Sequence, residues 1–327
     1  MVTNIGEVLT YLTPRIRRAL EKVDGGFNRL EEIRLRAGKP LQVENGQVSA
    51  LVTPEGSFTD RADRALQVRE DEILRCLQLM GDNSFYTLEE EFKEGFITLP
   101  GGHRVGLAGE CLVEKGRLLR IKKVTALNLR LAREAIGSSR RIIPFLVEGD
   151  RPLRAMIISP PQAGKTTLLR DIVRSFSNGE GIPSPVKVGL VDERGEIAGC
   201  FHGIPQMDVG IRTDVLNGCP KQDGIFLLLR SMSPQVIATD EIGRPEDLKV
   251  IEEILNAGVG FITTAHAWDT KDLILRPALG EIWDRGLVER VVILSRRYGS
   301  GTLEEIWDGK TKKPLPGVKP VRLGVRE

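Results

Sequence analysis

This chain of 327 residues has little of what marks a special environment. It has four cysteines (Cys76, Cys111, Cys200 and Cys219) and no Cys-x-x-Cys pair. A disulfide scaffold or a zinc module is therefore not expected, and the thiols read as reduced and mostly packed, as in a cytosolic protein. No apolar run approaches the ~20 residues that a bilayer-spanning helix needs. The start, Met1-Val2-Thr3-Asn4, lacks the basic and apolar segments of a secretory signal. Membrane contact is thus expected only through a partner. A charge of one sign is missing too: 47 Lys+Arg against 45 Asp+Glu leave +2, a weak field for a polyanion. Three tyrosines and three tryptophans supply few stacking platforms for single-stranded nucleic acid. What remains, 41% hydrophobic and 28% charged, is the composition of a soluble globular protein. Its length suggests about two domains.

Apolar spacing predicts an amphipathic helix over 7–22 with Arg15, Arg17 and Arg18 outward, then two strands around a turn over 30–46, with Asn45-Gly46 a tight-turn signal at its end. A helix over 70–80 and strands near 95–99, 103–109 and 118–124 complete an N-terminal α+β domain, 1–135. The turn-rich stretch 136–152 reads as a hinge. Beyond it, strands at 154–158, 186–191, 235–239, 259–264 and 289–294 alternate with helices at 165–176, 222–232, 245–257 and 270–286. Apolar strands between helices predict an α/β fold with a mostly parallel sheet covered on both faces, over 153–310. The Lys- and Pro-containing tail 311–327 reads as a solvated extension.

The run Ala155-Met156-Ile157-Ile158 breaks at Ser159-Pro160-Pro161-Gln162-Ala163-Gly164 and resumes as Lys165-Thr166-Thr167-Leu168-Leu169-Arg170. That is the layout of a phosphate-binding P-loop, with Ser159 where the usual pattern begins with Gly. Backbone N–H groups of the turn and the positive end of the helix would cradle phosphates. Lys165 would reach the β/γ-phosphates of ATP, and the Thr166 hydroxyl would take a position on Mg²⁺. The bland reading is a surface turn before an ordinary helix.

A second apolar strand ends in Asp240-Glu241, at the edge where open α/β sheets place ligands. Asp240 would hold Mg²⁺ through water, and Glu241 would polarise the attacking water, so hydrolysis is expected. Asp192-Glu193 ends another strand, and His266 ends the next; a histidine there could sense the γ-phosphate. His103 and His202 read as loop residues.

Taken in order, these residues resemble the secretion-superfamily ATPases that drive type II and type IV secretion and pilus machines. The P-loop, an acidic box of Asp192, Glu193 and Glu196, Leu229-Arg230 before the Mg²⁺ strand, and Thr263-Thr264-Ala265-His266 carry the likeness. Ile33-Arg34-Leu35-Arg36-Ala37-Gly38-Lys39-Pro40-Leu41 is similar to the start of that family's regulatory domain. Many relatives have Gly-Glu where this chain has Asp240-Glu241, and often Glu-Asp where it has Asp192-Glu193.

The resemblance implies a RecA-like core, Glu193, His266 and Arg230 as catalytic contributors, and a hexameric ring with nucleotide between the two domains. It also implies arginines completing the site, for which Arg104, Arg120, Arg130, Arg212 and Arg230 are the candidates. The motor would act on a membrane-embedded partner of a secretion-type apparatus, from the cytoplasm. Two alternatives stand beside it: a RecA-like nucleic-acid motor, and a nucleotide-binding scaffold that hardly hydrolyses. A small-molecule kinase fits worst, since no acceptor-binding lid is evident.

Overall fold

The computed structural model describes residues 5–23, 26–27, 30–45, 48–81 and 89–324. The chain divides into two compact units, Met1–Arg133 and Glu134–Glu327. Of the expected Asn45-Gly46 turn, Gly46 lies outside the described residues.

In the first unit the predicted helix over 7–22 is broken. A 3₁₀ turn, Ile5–Tyr11, precedes helix α1, Pro14–Glu21. Pro14 has no N–H to continue the first turn and suits the first position of the second. Arg15 and Arg17 are not simply outward. Arg15 Nη2 lies 2.5 Å from Glu72 Oε2, and Arg17 Nε donates to Leu9 O at 2.9 Å. Helix α2, Glu70–Met80, follows strands β1 (Glu32–Arg36), β2 (Gln42–Glu44), β3 (Ser49–Val52) and β4 (Phe58–Thr59). Its buried Glu72 accepts from Thr13 Oγ1 at 3.0 Å and from the Arg69 N–H at 2.9 Å, which fastens α2 to α1 and caps its own start.

Helix α3 (Glu89–Glu94) and strands β5 (Phe96–Leu99), β6 (His103–Glu114) and β7 (Arg117–Arg130) complete an antiparallel sheet ordered β4-β3-β2-β1-β7-β6-β5. Ile33 and Leu35 alternate inward along β1, as a strand with one covered face requires. His103, expected in a loop, begins β6. Its buried Nδ1 accepts the Ala132 N–H at 3.0 Å, and burial pushes its pKa down to about 4.

The second unit takes in the segment expected as a hinge. Strands β8 (Val147–Glu148) and β9 (Arg151–Pro152) form a short ribbon there, and Ile142, Ile143 and Leu146 sit in the unit's core. The reason lies in helix α4, Lys165–Asn178, whose buried Asp171 accepts the N–H groups of Gly137 (3.0 Å) and Ser139 (2.7 Å). The remaining strands are β10 (Ala155–Ser159), β11 (Val188–Asp192), β12 (Thr213–Asn217), β13 (Val236–Thr239), β14 (Gly260–His266), β15 (Arg290–Ser295), β16 (Thr302–Asp308), β17 (Lys313–Pro314) and β18 (Val321–Arg322). The helices are α5 (Lys221–Ser231), α6 (Pro245–Asn256), α7 (Thr270–Leu275) and α8 (Pro277–Asp284). Pro277 splits the predicted 270–286 helix in two, its missing N–H starting the second.

The sheet runs β12-β11-β13-β14-β10-β15-β16-β17, with β18 also on β16. It is parallel from β12 to β15 and antiparallel beyond. Side chains alternate across it, as the period of two demands. Ala155 and Ile157 meet Leu168, Ile172 and Phe176 of α4 on one face. Met156 and Ile158 share the other with Ile225, Val250 and Ile282. The tail expected to be solvated instead supplies β17 and β18, and Leu323 is buried against the α4 face. Its apolar Leu315, Val318, Val321 and Leu323 draw it onto the sheet despite the neighbouring lysines.

Candidate active site

Register brings the strand ends together. Ser159 pairs with His266 across β10 and β14, and Thr239 pairs with both Val191 and Thr263. The C-terminal ends of β10, β11, β13 and β14 therefore share one edge, where the loops that leave them form a cleft of ≈430 Å³. Gln162, Gly164, Lys165, Thr166, Asp240, Glu241 and His266 line it.

Gly164 holds φ 89 at the cap of α4, a conformation glycine adopts without strain. A Cβ there would also stand 3.2 Å from Gly301 N and Ser300 Oγ. The β15–β16 turn thus seats directly on the P-loop. The Gly301 N–H donates to Ala163 O at 3.0 Å, and Ser300 Oγ donates to Gln162 O at 3.2 Å. The first turn of α4 has no intrahelical acceptors for its own donors. Among the described residues, the N–H groups of Gln162 through Thr167 donate to no protein acceptor. That is a nest for an anion.

Lys165 is buried, and its Nζ lies 3.3 Å from both Ser159 O and Ser159 Oγ and 3.0 Å from His266 Nδ1. Burial pulls its pKa down, while Asp240 and Glu241 pull it up. Among the described residues no carboxylate lies within ion-pair distance of this ammonium, so a bound phosphate would supply the missing counter-charge.

Asp240 Oδ1 accepts from Thr264 Oγ1 at 2.5 Å and from the Glu241 N–H at 2.9 Å, and Oδ2 has no protein donor among the described residues. With Thr166 Oγ1 in the same cleft, the free oxygens are hard ligands suited to Mg²⁺.

Glu241 has φ 28, rare for a residue with a side chain. Three contacts hold it there: its N–H donates to Asp240 and, at 3.0 Å, to Thr264 Oγ1, and Lys221 Nζ donates to its carbonyl at 2.5 Å. Strain of this kind costs about 1–3 kcal/mol and persists where the surroundings over-determine it. The carboxylate is aimed by the twist: Oε2 lies 2.8 Å from Arg194 Nη1, and Oε1 lies 3.6 Å from His266 Nε2.

The acidic box separates into distinct tasks. Asp192 is fully buried and accepts the N–H groups of Glu196 (2.9 Å), Ile197 (3.0 Å) and Ala198 (2.8 Å). Burial raises its pKa against those bonds. It shapes the turn and is not presented to the cleft. Glu193 is exposed and lines an adjoining cavity of ≈650 Å³, while Glu196 lines the P-loop cleft itself.

Arg230 is not brought to the cleft. It is exposed in the last turn of α5, whose first residue, Lys221, is the one at Glu241. Nine helical rises place the two roughly 14 Å apart along the axis. Arg212 donates to Ser177 O at 3.2 Å, at the end of α4. In the first unit, Arg104 stacks over Phe96 at 3.6 Å, Arg130 lies 3.6 Å from Glu32, and Arg120 is exposed on β7.

Sequence reasoning missed Arg170, Arg194, Lys221, Thr264 and Ser300 as site residues. Arg170 Nη2 donates to Glu196 O at 2.7 Å, bracing the acidic turn from α4. Their contacts span long stretches of chain and leave no local pattern. Thr264, two residues before His266 on the same strand, was the one with a positional signal.

Comparison with known proteins bears on the family and the fold. The family described as Sporulation stage III, protein AA matches residues 3–313. Stage III sporulation protein AA of Bacillus subtilis is 40% identical over 319 residues, 96% of this chain and 99% of that protein. Among solved structures, the ATPase DotB of Legionella pneumophila superposes with TM-score 0.53 at 17% identity, covering 81% of this chain and 72% of that one. The pilus retraction motor PilT with bound ADP gives 0.50 at 15% identity, over 85% and 76%. These last two establish a shared fold, α/β with a mostly parallel sheet as in RecA-like ATPases. By its near full-length sequence match, the chain belongs to the stage III sporulation protein AA family.

Proposed function

We propose that the protein is a Mg²⁺-dependent ATPase of the secretion-motor type. The carrying observation is the single cleft in which an unclaimed N–H nest and Lys165 face Asp240 and Glu241. Lys165 and the nest from Gln162 to Thr167 hold the β- and γ-phosphates and offset their charge. Thr166 and Asp240 would hold Mg²⁺, which would supply positive charge against the phosphates during cleavage. Glu241 takes a proton from water as its oxygen attacks the γ-phosphorus. The bond to the β–γ bridging oxygen breaks, and ADP leaves. His266, between Lys165 and Glu241, keeps the two in register.

The motor reading extends to assembly. The family likeness supports a homo-hexamer that couples hydrolysis to an integral membrane protein of a sporulation-associated transport apparatus. It would work from the cytoplasmic face of the membrane between mother cell and forespore. No helix among the described residues is long and apolar enough to cross a membrane, which fits attachment through a partner. The test is ATP turnover by the purified chain alone, with single-stranded DNA, and with membranes carrying candidate partners, beside size measurement with ATP and Mg²⁺. Stimulation by membranes and a ring-sized species support the reading. Stimulation by DNA alone would replace it with a nucleic-acid motor, and a strict monomer at high concentration would remove the ring.

A further inference from the structure

Glu241 is not free in this structure. One of its oxygens is held by Arg194, and the other faces a histidine that is itself engaged by Lys165. Arg194 sits at the border of the P-loop cleft and the adjoining ≈650 Å³ cavity and lines both. Its side chain is half-exposed, while its backbone is fixed. Asp192 below holds the N–H groups of Glu196, Ile197 and Ala198, and Arg170 holds the carbonyls of Glu196 and Ile197. Such a turn keeps its shape while the long side chain at its apex swings.

From this geometry we infer that Arg194 discriminates ATP from ADP by exchanging Glu241 for the terminal phosphate, so that only ATP releases the water-activating carboxylate. The inference rests on the proposed hydrolytic function. A carboxylate carries one negative charge, whereas a terminal phosphate carries about two and offers three acceptor oxygens. A guanidinium bonds either, and phosphate is the stronger partner. ADP brings no such group to the γ position, so the Arg194–Glu241 pair stays closed in its presence. A ligand shifts an equilibrium only by its differential affinity for the two states, and here the difference between the nucleotides is the one phosphate. Arg194 thereby becomes a specificity-determining residue supplied by the same chain as the P-loop.

The test is equilibrium binding of ATP and ADP, with Mg²⁺, to full-length Glu241→Gln and to the same protein carrying Arg194→Ala or Arg194→Lys. Removing hydrolysis keeps ATP intact during the measurement. Arg194→Ala is expected to weaken ATP by about tenfold or more, the worth of a charge-assisted bond, and to leave ADP within about twofold. Arg194→Lys should fall between the two. ADP binding uses the same P-loop and so reports that the site remains folded. Equal weakening of both nucleotides, loss of both, or no change in either would overturn the inference while the hydrolytic reading stands. If the parent Glu241→Gln protein binds neither nucleotide, the hydrolytic reading fails first and the inference falls with it.

Discussion

Lys165 Nζ and His266 Nδ1 lie 3.0 Å apart although 101 positions separate them in the chain. The parallel pairing of Ser159 with His266 makes this contact a consequence of sheet register. An ammonium can only donate, so Nδ1 accepts and the imidazole N–H is left on Nε2, facing Glu241 Oε1 at 3.6 Å. The histidine thus separates the phosphate-binding cation from the water-activating carboxylate.

Replacing His266 by alanine should therefore slow turnover more than it weakens binding. Lys165 keeps its place on Ser159, so the KM for ATP should move by no more than about threefold, while kcat falls about a hundredfold. Steady-state kinetics with ATP check this. A KM rise with unchanged kcat would mean that the imidazole serves binding alone.

Gly164→Ala tests the seat of the P-loop. A side chain at φ 89, within 3.2 Å of Ser300 Oγ and Gly301 N, adds strain of about 1–2 kcal/mol and pushes the β15–β16 turn away. Nucleotide affinity should drop at least about tenfold, and the unfolding midpoint should fall by about 2–8 °C, in line with that strain. Unchanged affinity would show that the Gly164 conformation is not needed for phosphate binding.

How much of this was legible beforehand follows the range of the interactions. The P-loop, the Asp240-Glu241 strand end and the His266 strand end each stand in a short run of apolar and turn residues, so local pattern exposed them. Pro14 and Pro277 fall inside the continuous helices that apolar spacing predicts over 7–22 and 270–286, and each instead begins a second helix. The C-terminal strands escaped notice because β17 and β18 are two residues each and stand among lysines. Arg194, Lys221 and Ser300 reach the site through contacts 47, 20 and 138 positions long. Asp192 and Glu193 looked equivalent as neighbouring carboxylates. Only the fold shows the first buried under three N–H groups and the second in solvent.

Asp192→Ala should accordingly act on stability first. It leaves the buried N–H groups of Ile197 and Ala198 and the part-buried one of Glu196 without their acceptor, at a cost of about 2–4 kcal/mol. Chemical denaturation should show that loss, with turnover impaired as the Arg194 turn loosens. A fully stable variant would contradict the structural role given to Asp192.

Glu289 links acid sensitivity to the second unit. Burial alone would raise its pKa. The hydrogen bond from Arg151, the Arg154 N–H at 3.1 Å and the two guanidinium charges outweigh that, and the pKa falls to about 2. A carboxylate depressed in the folded state contributes stability above its unfolded pKa and loses it as pH falls through the folded value. The contribution is about 2 kcal/mol, allowing for screening at the half-exposed Arg151. Stability should decline between pH about 4.5 and about 2, and Glu289→Gln should flatten that part of the curve. A variant with an unchanged pH profile of unfolding would contradict the assignment.

The central claim is that the strained carboxylate beyond Asp240 activates water for ATP cleavage. Its most direct measurement pairs ATP binding with single-turnover hydrolysis in Glu241→Gln. ATP affinity is expected to be retained within a few-fold, with a hydrolysis rate at least about a hundredfold below that of the unaltered protein. Hydrolysis at the unaltered rate, or binding and hydrolysis lost together, would contradict it.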